Sequence, residues 1–158
     1  MTFTSQGLNK FLQNNNDIAY CEIISNLGSS PRENGAWMLI SNKGKIFGTI
    51  GGGQLEYNLI QSVMKQDWTI YFNLDIETTL GPDIAQCCGG KVVISIQKIN
   101  GIFSKYLLEK IKKNISEFPQ VLIFGAGNIG TSLALQMCNL PLRVKLVDNR
   151  KDLISKIK

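Results

Sequence analysis

The chain has 158 residues, 17 lysines and arginines against 12 aspartates and glutamates, a net charge of +5, and no histidine. The missing histidine excludes Ser-His-Asp and Cys-His catalysis and histidine-ligated metal sites. The lysines are scattered rather than gathered in a stripe, so we expect no nucleic-acid partner. No apolar run approaches the ~20 residues of a membrane span, and the N-terminus has no apolar signal segment. We therefore expect no membrane association and a cytoplasmic location.

The first hundred residues mix helical and strand patterns. Apolar residues at helical spacing predict helices over 5–15 and 54–66. Strands are predicted where β-branched and aromatic residues concentrate between turn residues, at 18–25, 36–41, 46–50, 68–74 and 91–99. The polar, turn-rich stretch 77–90 predicts a long loop. Residues 1–100 therefore predict a mixed α/β domain.

The pattern changes after residue 100. A helix is predicted over 102–115, and we interpret 101–118 as a helical linker ended by Pro119. Residues 119–158 predict a partial Rossmann-like β-α-β unit, with a strand at 121–124, a helix at 128–138 and a strand at 143–148. The predicted fold class is thus α/β, a mixed domain followed by this unit.

The sequence "VLIFGAGNIG" fits a dinucleotide-binding fingerprint. Gly125, Gly127 and Gly130 stand at G-x-G-x-x-G spacing between a strand and a helix, for a tight turn, a close phosphate approach and close helix packing. Asp148 ends the second strand, where an acid can bind ribose hydroxyls. A complete fold has about six strands and only two are countable here. Nucleotide binding and a purely structural docking unit therefore both stay open.

Two strands can expose an edge that favours pairing with another chain. We expect this edge to pair with a second copy, a companion chain or the first domain.

Three polar motifs lie in the first domain. In "GSSPRENGAWM", Ser29, Ser30 and Arg32 combine hydroxyls with a guanidinium, which suits a phosphate or a polar heterocycle. In "GTIGGGQLE", Gly51, Gly52 and Gly53 precede a predicted helix, where unpaired backbone N–H groups can bind an anion. A tight strand-to-helix turn would need only one or two of these glycines.

The third motif, "QCCGG", places two adjacent thiols, Cys87 and Cys88, on a glycine-flanked loop. Adjacent cysteines form a disulfide only with strain, and a cytosolic protein keeps its thiols reduced. Accessible thiolates suit soft metals and sulfur transfer. Cys21 and Cys138 lie in apolar segments and are predicted to be core residues.

Together, "GSSPRENGAWML", "GTIGGGQLE" and "LGPDIAQCCGGKV" resemble the XdhC/CoxI family, the accessory factors of xanthine dehydrogenase and related molybdenum hydroxylases. The resemblance extends over about residues 5–150. It implies a protein that binds the molybdenum cofactor, protects it while a cysteine desulfurase supplies its terminal sulfur, and helps to insert it into the apo-hydroxylase. A maturation factor is then expected, rather than an enzyme with its own catalytic machinery.

The resemblance also implies roles for the motif residues. Arg32 and the Gly51–Gly53 amides would hold the cofactor's phosphate or pterin, with Ser29 and Ser30 orienting it. Cys87 or Cys88 would meet the molybdenum or carry sulfur, with Gln86 beside them. Glu56 would orient Arg32 or a pterin N–H, or would simply be a solvated helix residue; both interpretations stay open. The sequence departs from the family's pattern at Ala85, where a glycine is expected, and in its short Rossmann unit.

Two other functions compete with this one. The first is an NAD(P)-dependent oxidoreductase that uses a redox-active thiol pair, based on "GAGNIG" and Asp148. The second is a truncated, non-catalytic fragment that pairs with a companion chain.

Overall fold

The computed structural model describes residues 4–81 and 89–156. Contacts divide the chain into two compact units. We call Leu12–Ser104 the sheet unit, and the described residues up to Phe11 and from Lys105 onward the terminal unit. None of the helices in the described ranges is both long and apolar enough to cross a bilayer.

The sheet unit contains a five-stranded antiparallel sheet in the order β3-β2-β1-β5-β4. Its elements are β1 (Ile18–Leu27), β2 (Trp37–Ser41), β3 (Ile46–Gly48), α2 (Gly53–Met64), β4 (Asn73–Thr79) and β5 (Lys91–Lys98). Helix α1 (Ser5–Gln13) precedes them and buries Leu8 and Phe11.

The core of the sheet unit lies between α2 and one face of the sheet. Alternate residues of a strand point to one face, and residues three or four apart share one face of a helix. The buried cluster accordingly takes Leu55, Leu59 and Val63 from α2, and from the central strands Ala19, Cys21, Ile23, Met38, Ile40, Val92, Ile94 and Ile96. Each large aliphatic side chain buried this way contributes about 1.5–3 kcal/mol.

The strand predicted at 68–74 is wrong in its position. Strand β4 begins at Asn73 and continues to Thr79, inside the stretch predicted as loop. Trp68 and Phe72 form an edge-to-face aromatic pair before the strand starts. Their high β-propensity misled the prediction, whereas the alternation of exposed and half-buried residues along β4 marks an edge strand that is half exposed to solvent.

The terminal unit contains a long helix and a parallel β-α-β arrangement. Its elements are α3 (Gly101–Glu117), which begins just inside the sheet unit's boundary, β6 (Gln120–Phe124), α4 (Asn128–Met137), β7 (Arg143–Val147) and α5 (Lys151–Lys156). Strands β6 and β7 pair in parallel, as predicted, from Gln120 opposite Arg143 to Phe124 opposite Val147. Helix α3 occupies the stretch interpreted as a linker, and α5 was not predicted.

Candidate functional site

The loop after β1 lies directly against the residues that follow the cysteine pair. Ser29 forms an isolated parallel β-bridge with Gly89. Gly90 approaches the same loop so closely that an added Cβ would overlap the carbonyl oxygen of Ser29. The Ser-Ser-Pro-Arg motif and the Gly-Gly end of the cysteine motif are therefore neighbours in space, although about sixty positions separate them in the sequence.

The glycine triplet lies on another side of the same loop. A Cβ added to Gly51 would lie 2.6 Å from Cγ of Pro31, a backbone-to-ring contact that only glycine permits. Gly51, Gly52 and Gly53 all have positive φ, of 133°, 79° and 60°. The backbone conformation alone therefore calls for glycine at each of the three positions. We call the segments 27–32, 48–53 and 89–90 the three-loop site.

Asn26 holds the first of these loops in shape. Its side-chain amide donates to Ser30 Oγ at 3.3 Å and to the carbonyl oxygen of Arg32 at 3.4 Å. Ser30 Oγ also donates to the Arg32 carbonyl. A register shift between Ile23 and Ser25 in the pairing of β1 with β5 precedes the loop, and such bulges re-aim the chain that follows. The sequence analysis did not single out Asn26. Its position directly before the Leu-Gly-Ser-Ser loop was the available signal, because asparagine side chains often hydrogen-bond to groups a few residues further along a loop.

The Glu56 side chain, on α2, holds the glycine loop through hydrogen bonds. Its Oε1 accepts hydrogen bonds from the N–H groups of Ile50 and Gly52, both at 2.9 Å, and from the Thr49 hydroxyl. The Gly51 N–H donates to Thr49 Oγ1 at 3.1 Å. Glu56 is therefore neither a solvated helix residue nor a partner that the structure joins to Arg32. The Gly51 and Gly52 amides were expected to be open to an anion, but both already donate hydrogen bonds within the protein.

Two of the predicted polar groups are available at the three-loop site. Within residues 4–81 and 89–156, the Ser29 hydroxyl and the Arg32 guanidinium form no hydrogen bond or ion pair. Ser29 is exposed, Arg32 is half-buried, and Arg32 Cγ would lie 3.8 Å from a Cβ on Gly51. The first N–H groups of α2 follow at Gly53, where a helix leaves its amides without intrahelical partners. These groups are the donors that an anionic ligand can use here, whereas Ser30 is committed to the loop.

The predicted cysteine motif falls only partly within the described residues. Gln86, Cys87 and Cys88 lie outside the described residues, and their predicted roles stay predictions. Cys21 is fully buried in the core, as predicted, and burial raises the pKa of its thiol. Cys138 is half-buried at the end of α4.

The G-x-G-x-x-G motif forms a cleft in the terminal unit. Gly125 has a φ of 103°, as a tight turn requires, and a Cβ at Gly130 would overlap the Gly125 carbonyl oxygen. Gly127 faces open space. The cleft has a volume of about 640 Å³ and is lined by the glycine loop, Ile129, Leu133 and Arg150. It has the size of a ligand pocket, and nucleotide binding there stays a prediction.

The Asp148 carboxylate is hydrogen-bonded within the protein rather than exposed to that cleft. Its Oδ2 accepts from the Ala126 N–H at 2.6 Å and from Arg150 Nη2 at 2.7 Å, and its Oδ1 accepts from the N–H and Nε of Arg150. The carboxylate is only 3% exposed. Asp148 was predicted to accept hydrogen bonds from ribose hydroxyls, and this role would require Arg150 to move away from the carboxylate.

This pairing predicts a pH dependence. Hydrogen bonds from the Arg150 side chain and from the Ala126 and Arg150 amides hold the pKa of Asp148 well below its usual value. A lowered pKa stabilises the fold above the unfolded-state value of about 3.9, and this stabilisation is lost as the pH falls towards the folded-state value. We expect the difference in unfolding free energy between the wild type and Asp148→Asn to be constant above about pH 5 and to shrink below about pH 4. Urea unfolding of both proteins across this range measures it; a difference that stays constant in acid would contradict the assignment.

The chain is similar to a known protein family and to a solved structure. Residues 11–66 match the model of the XdhC and CoxI family, a segment that includes the Ser-Ser-Pro-Arg loop, the glycine triplet and Glu56. Among solved structures, the chain is similar to a crystal structure from Bacillus halodurans described as a xanthine dehydrogenase, with a TM-score of 0.67 and 17% identity over 95% of this chain. The chain spans 64% of that protein's length. No curated protein matches the chain significantly.

The structural match confirms the α/β fold. The family match covers two of the three motifs on which the resemblance depends, and those two motifs meet at the contact between Pro31 and Gly51. Residues 11–66, about a third of the chain, are therefore similar to the XdhC and CoxI family.

Proposed function

We propose that the protein is a maturation factor for a xanthine dehydrogenase-type molybdenum hydroxylase. It would bind the molybdenum cofactor as cargo at the three-loop site, hold it while a cysteine desulfurase supplies its terminal sulfur, and support its insertion into the apo-hydroxylase. The observation that carries the proposal is the convergence of the three motifs, through the Ser29–Gly89 bridge and the Pro31–Gly51 contact.

The available groups fit an anionic, heterocyclic cargo. Arg32 offers a guanidinium without a protein partner among the described residues, and guanidinium forks match phosphate geometry. The exposed Ser29 hydroxyl, in the loop after β1, is one neutral donor. The first amides of α2, which follows β3, are others. Gly52 and Gly89 each have open space where a Cβ would stand, so a ligand can approach the backbone there.

The roles of the two cysteines are those that the resemblance to the XdhC and CoxI family implies. Gly89, which directly follows Cys87 and Cys88 in the sequence, is bridged to Ser29. We infer that Cys87 or Cys88 meets the molybdenum or receives sulfur, because thiolates are soft ligands and the nucleophiles of sulfur exchange. The cargo would supply the redox-active metal of the hydroxylase; this chain would supply only binding and protection.

The test is cofactor retention. The protein is purified from cells with an active molybdenum-cofactor pathway, and molybdenum and pterin are measured after gel filtration. We expect the wild type to retain both, Arg32→Ala to retain about tenfold less, and Cys87→Ser with Cys88→Ser to lose molybdenum. Lys43→Ala, which removes an exposed charge from the turn between β2 and β3, is the matched control and should retain the wild-type amount. A wild type that carries no pterin, and binds none when it is supplied, would overturn the proposal.

A further inference from the structure

The Asp148–Arg150 pair decides what the cleft of the terminal unit can accept from a ribose. Each oxygen of the Asp148 carboxylate accepts two hydrogen bonds, Oδ1 from the N–H and Nε of Arg150, and Oδ2 from the Ala126 N–H and Arg150 Nη2. A carboxylate has about four lone-pair positions. In NAD-binding folds, an acid at this point accepts a hydrogen bond from the ribose 2′-hydroxyl. Here that hydroxyl finds no free acceptor on Asp148.

The pair is held at the junction of the glycine loop and β7. The Gly125 N–H donates to the Val147 carbonyl oxygen at 2.8 Å, which joins the start of the loop to the last residue of β7. The bond from the Ala126 N–H to Asp148, at 2.6 Å, links the same two segments again. Hydrogen bonds from the Arg150 side chain hold the pKa of Asp148 well below its usual value, so the carboxylate stays charged at neutral pH and the pair persists.

Arg150 keeps donors for a ligand. Its Nε and Nη2 donate to Asp148, whereas Nη1 forms no hydrogen bond within the part of the chain that the structure describes. The side chain is 55% exposed and lines the cleft together with Gly125 and Gly127. The other described residues that line this cleft are uncharged. A guanidinium that one carboxylate already orients can bind a phosphate with its remaining N–H groups.

The glycine loop offers a place for another phosphate of the same ligand. Helix α4 begins at Asn128 and contains no charged residue, so no side chain of the helix offsets the partial positive charge at its amino-terminal end. Gly127 has open space where a Cβ would stand, which lets a phosphate approach the backbone. A nucleotide with its phosphate at this loop directs its ribose towards the end of the second strand. In this chain that strand is β7, which Asp148 and Arg150 follow.

We propose that the cleft binds an adenine nucleotide that is phosphorylated at the ribose 2′-position, with Arg150 binding the 2′-phosphate. Asp148 is then a positioning residue that orients the guanidinium, and it does not accept ribose hydroxyls. The proposal uses only the glycine loop, α4 and the residues that follow β7. It rests on the nucleotide binding that the glycine motif predicts, and it does not depend on cofactor binding at the three-loop site.

The test uses the full chain and calorimetric titration with three ligands. Adenosine 2′,5′-bisphosphate has the phosphate that Arg150 would bind, adenosine 3′,5′-bisphosphate has the same charge at the neighbouring hydroxyl, and 5′-AMP has neither. We expect the 2′,5′-bisphosphate to bind at least about tenfold more tightly than the other two ligands. Its affinity should also fall more steeply with added salt than that of 5′-AMP, because an additional charged contact is screened.

Variants assign the preference to Arg150. Arg150→Ala should bind the 2′,5′-bisphosphate about tenfold more weakly than the wild type. It should bind 5′-AMP more tightly, because Asp148 then has free lone pairs for the ribose hydroxyls; a variant that only lost its fold would bind both ligands less. Arg150→Lys keeps the charge without the planar fork and should give an intermediate affinity. Lys145→Ala, which removes an exposed charge of β7 that does not line the cleft, should bind all three ligands like the wild type.

Three results with the wild type would overturn the proposal without recourse to a variant. Equal affinity for the two bisphosphates would show that the cleft attracts charge without distinguishing the ribose positions. Binding of 5′-AMP as tight as that of the 2′,5′-bisphosphate would return the role of ribose acceptor to Asp148. Binding of none of the three ligands at millimolar concentration would remove nucleotide binding at the cleft itself, and cofactor retention at the three-loop site would be unaffected by that result.

Discussion

Replacing Glu56 with alanine is expected to destabilise the sheet unit by about 2–4 kcal/mol. The carboxylate accepts three hydrogen bonds, and its loss leaves the N–H groups of Ile50 and Gly52 without their partner. Ile50 is fully buried, so water cannot replace that bond without opening the loop. Urea unfolding followed by circular dichroism measures the change in free energy.

Glu56→Gln is the matched control. Glutamine keeps one carbonyl oxygen at the same distance along the side chain, so it can still accept from both amides, and we expect it to cost about 1 kcal/mol. The alanine variant should also retain less molybdenum and pterin, because the triplet would no longer be held against Pro31. An alanine variant within about 0.5 kcal/mol of the wild type would show that these hydrogen bonds contribute little.

Gly130→Ala is expected to have the largest effect in the terminal unit, about 3 kcal/mol or more. The added methyl group would overlap the carbonyl oxygen of Gly125, which is backbone and cannot rotate away. Helix α4 would have to withdraw from β6, and Ile123 and Ala134 would lose their cover. Hydrogen exchange of the α4 amides should accelerate before exchange in the sheet unit changes.

Gly127→Ala is the control for that change and a test of the cleft. Gly127 has an ordinary φ of −74° and open space around it, so alanine should cost no more than about 0.5 kcal/mol. If the cleft binds a nucleotide, the new methyl group would stand where the phosphates approach, and calorimetric titration with NAD(H) and NADP(H) should show weaker binding than in the wild type. Fast exchange in Gly127→Ala, as in Gly130→Ala, would contradict the close-packing explanation.

Much of the fold could be predicted from local patterns. The β-α-β unit follows from an apolar strand, spaced glycines and a second strand, because those requirements are local in sequence. Strand β4 could not be placed from composition. The segment 68–72, which contains three aromatic residues, has higher strand propensity than 73–79, and only pairing with β5 decides which segment joins the sheet.

The same distinction between sequence and tertiary structure applies to the candidate site. Sequence alone determined the chemical inventory: no histidine, two adjacent thiols, a glycine triplet, and Ser29 and Arg32 on a loop. Only the tertiary structure decided which of these groups are available. Glu56 and Asp148 are committed to backbone amides, and Asn26 and Ser30 to the shape of a loop. A sequence lists donors and acceptors, but which of them pair depends on distances set when strands far apart in the chain come together in one sheet.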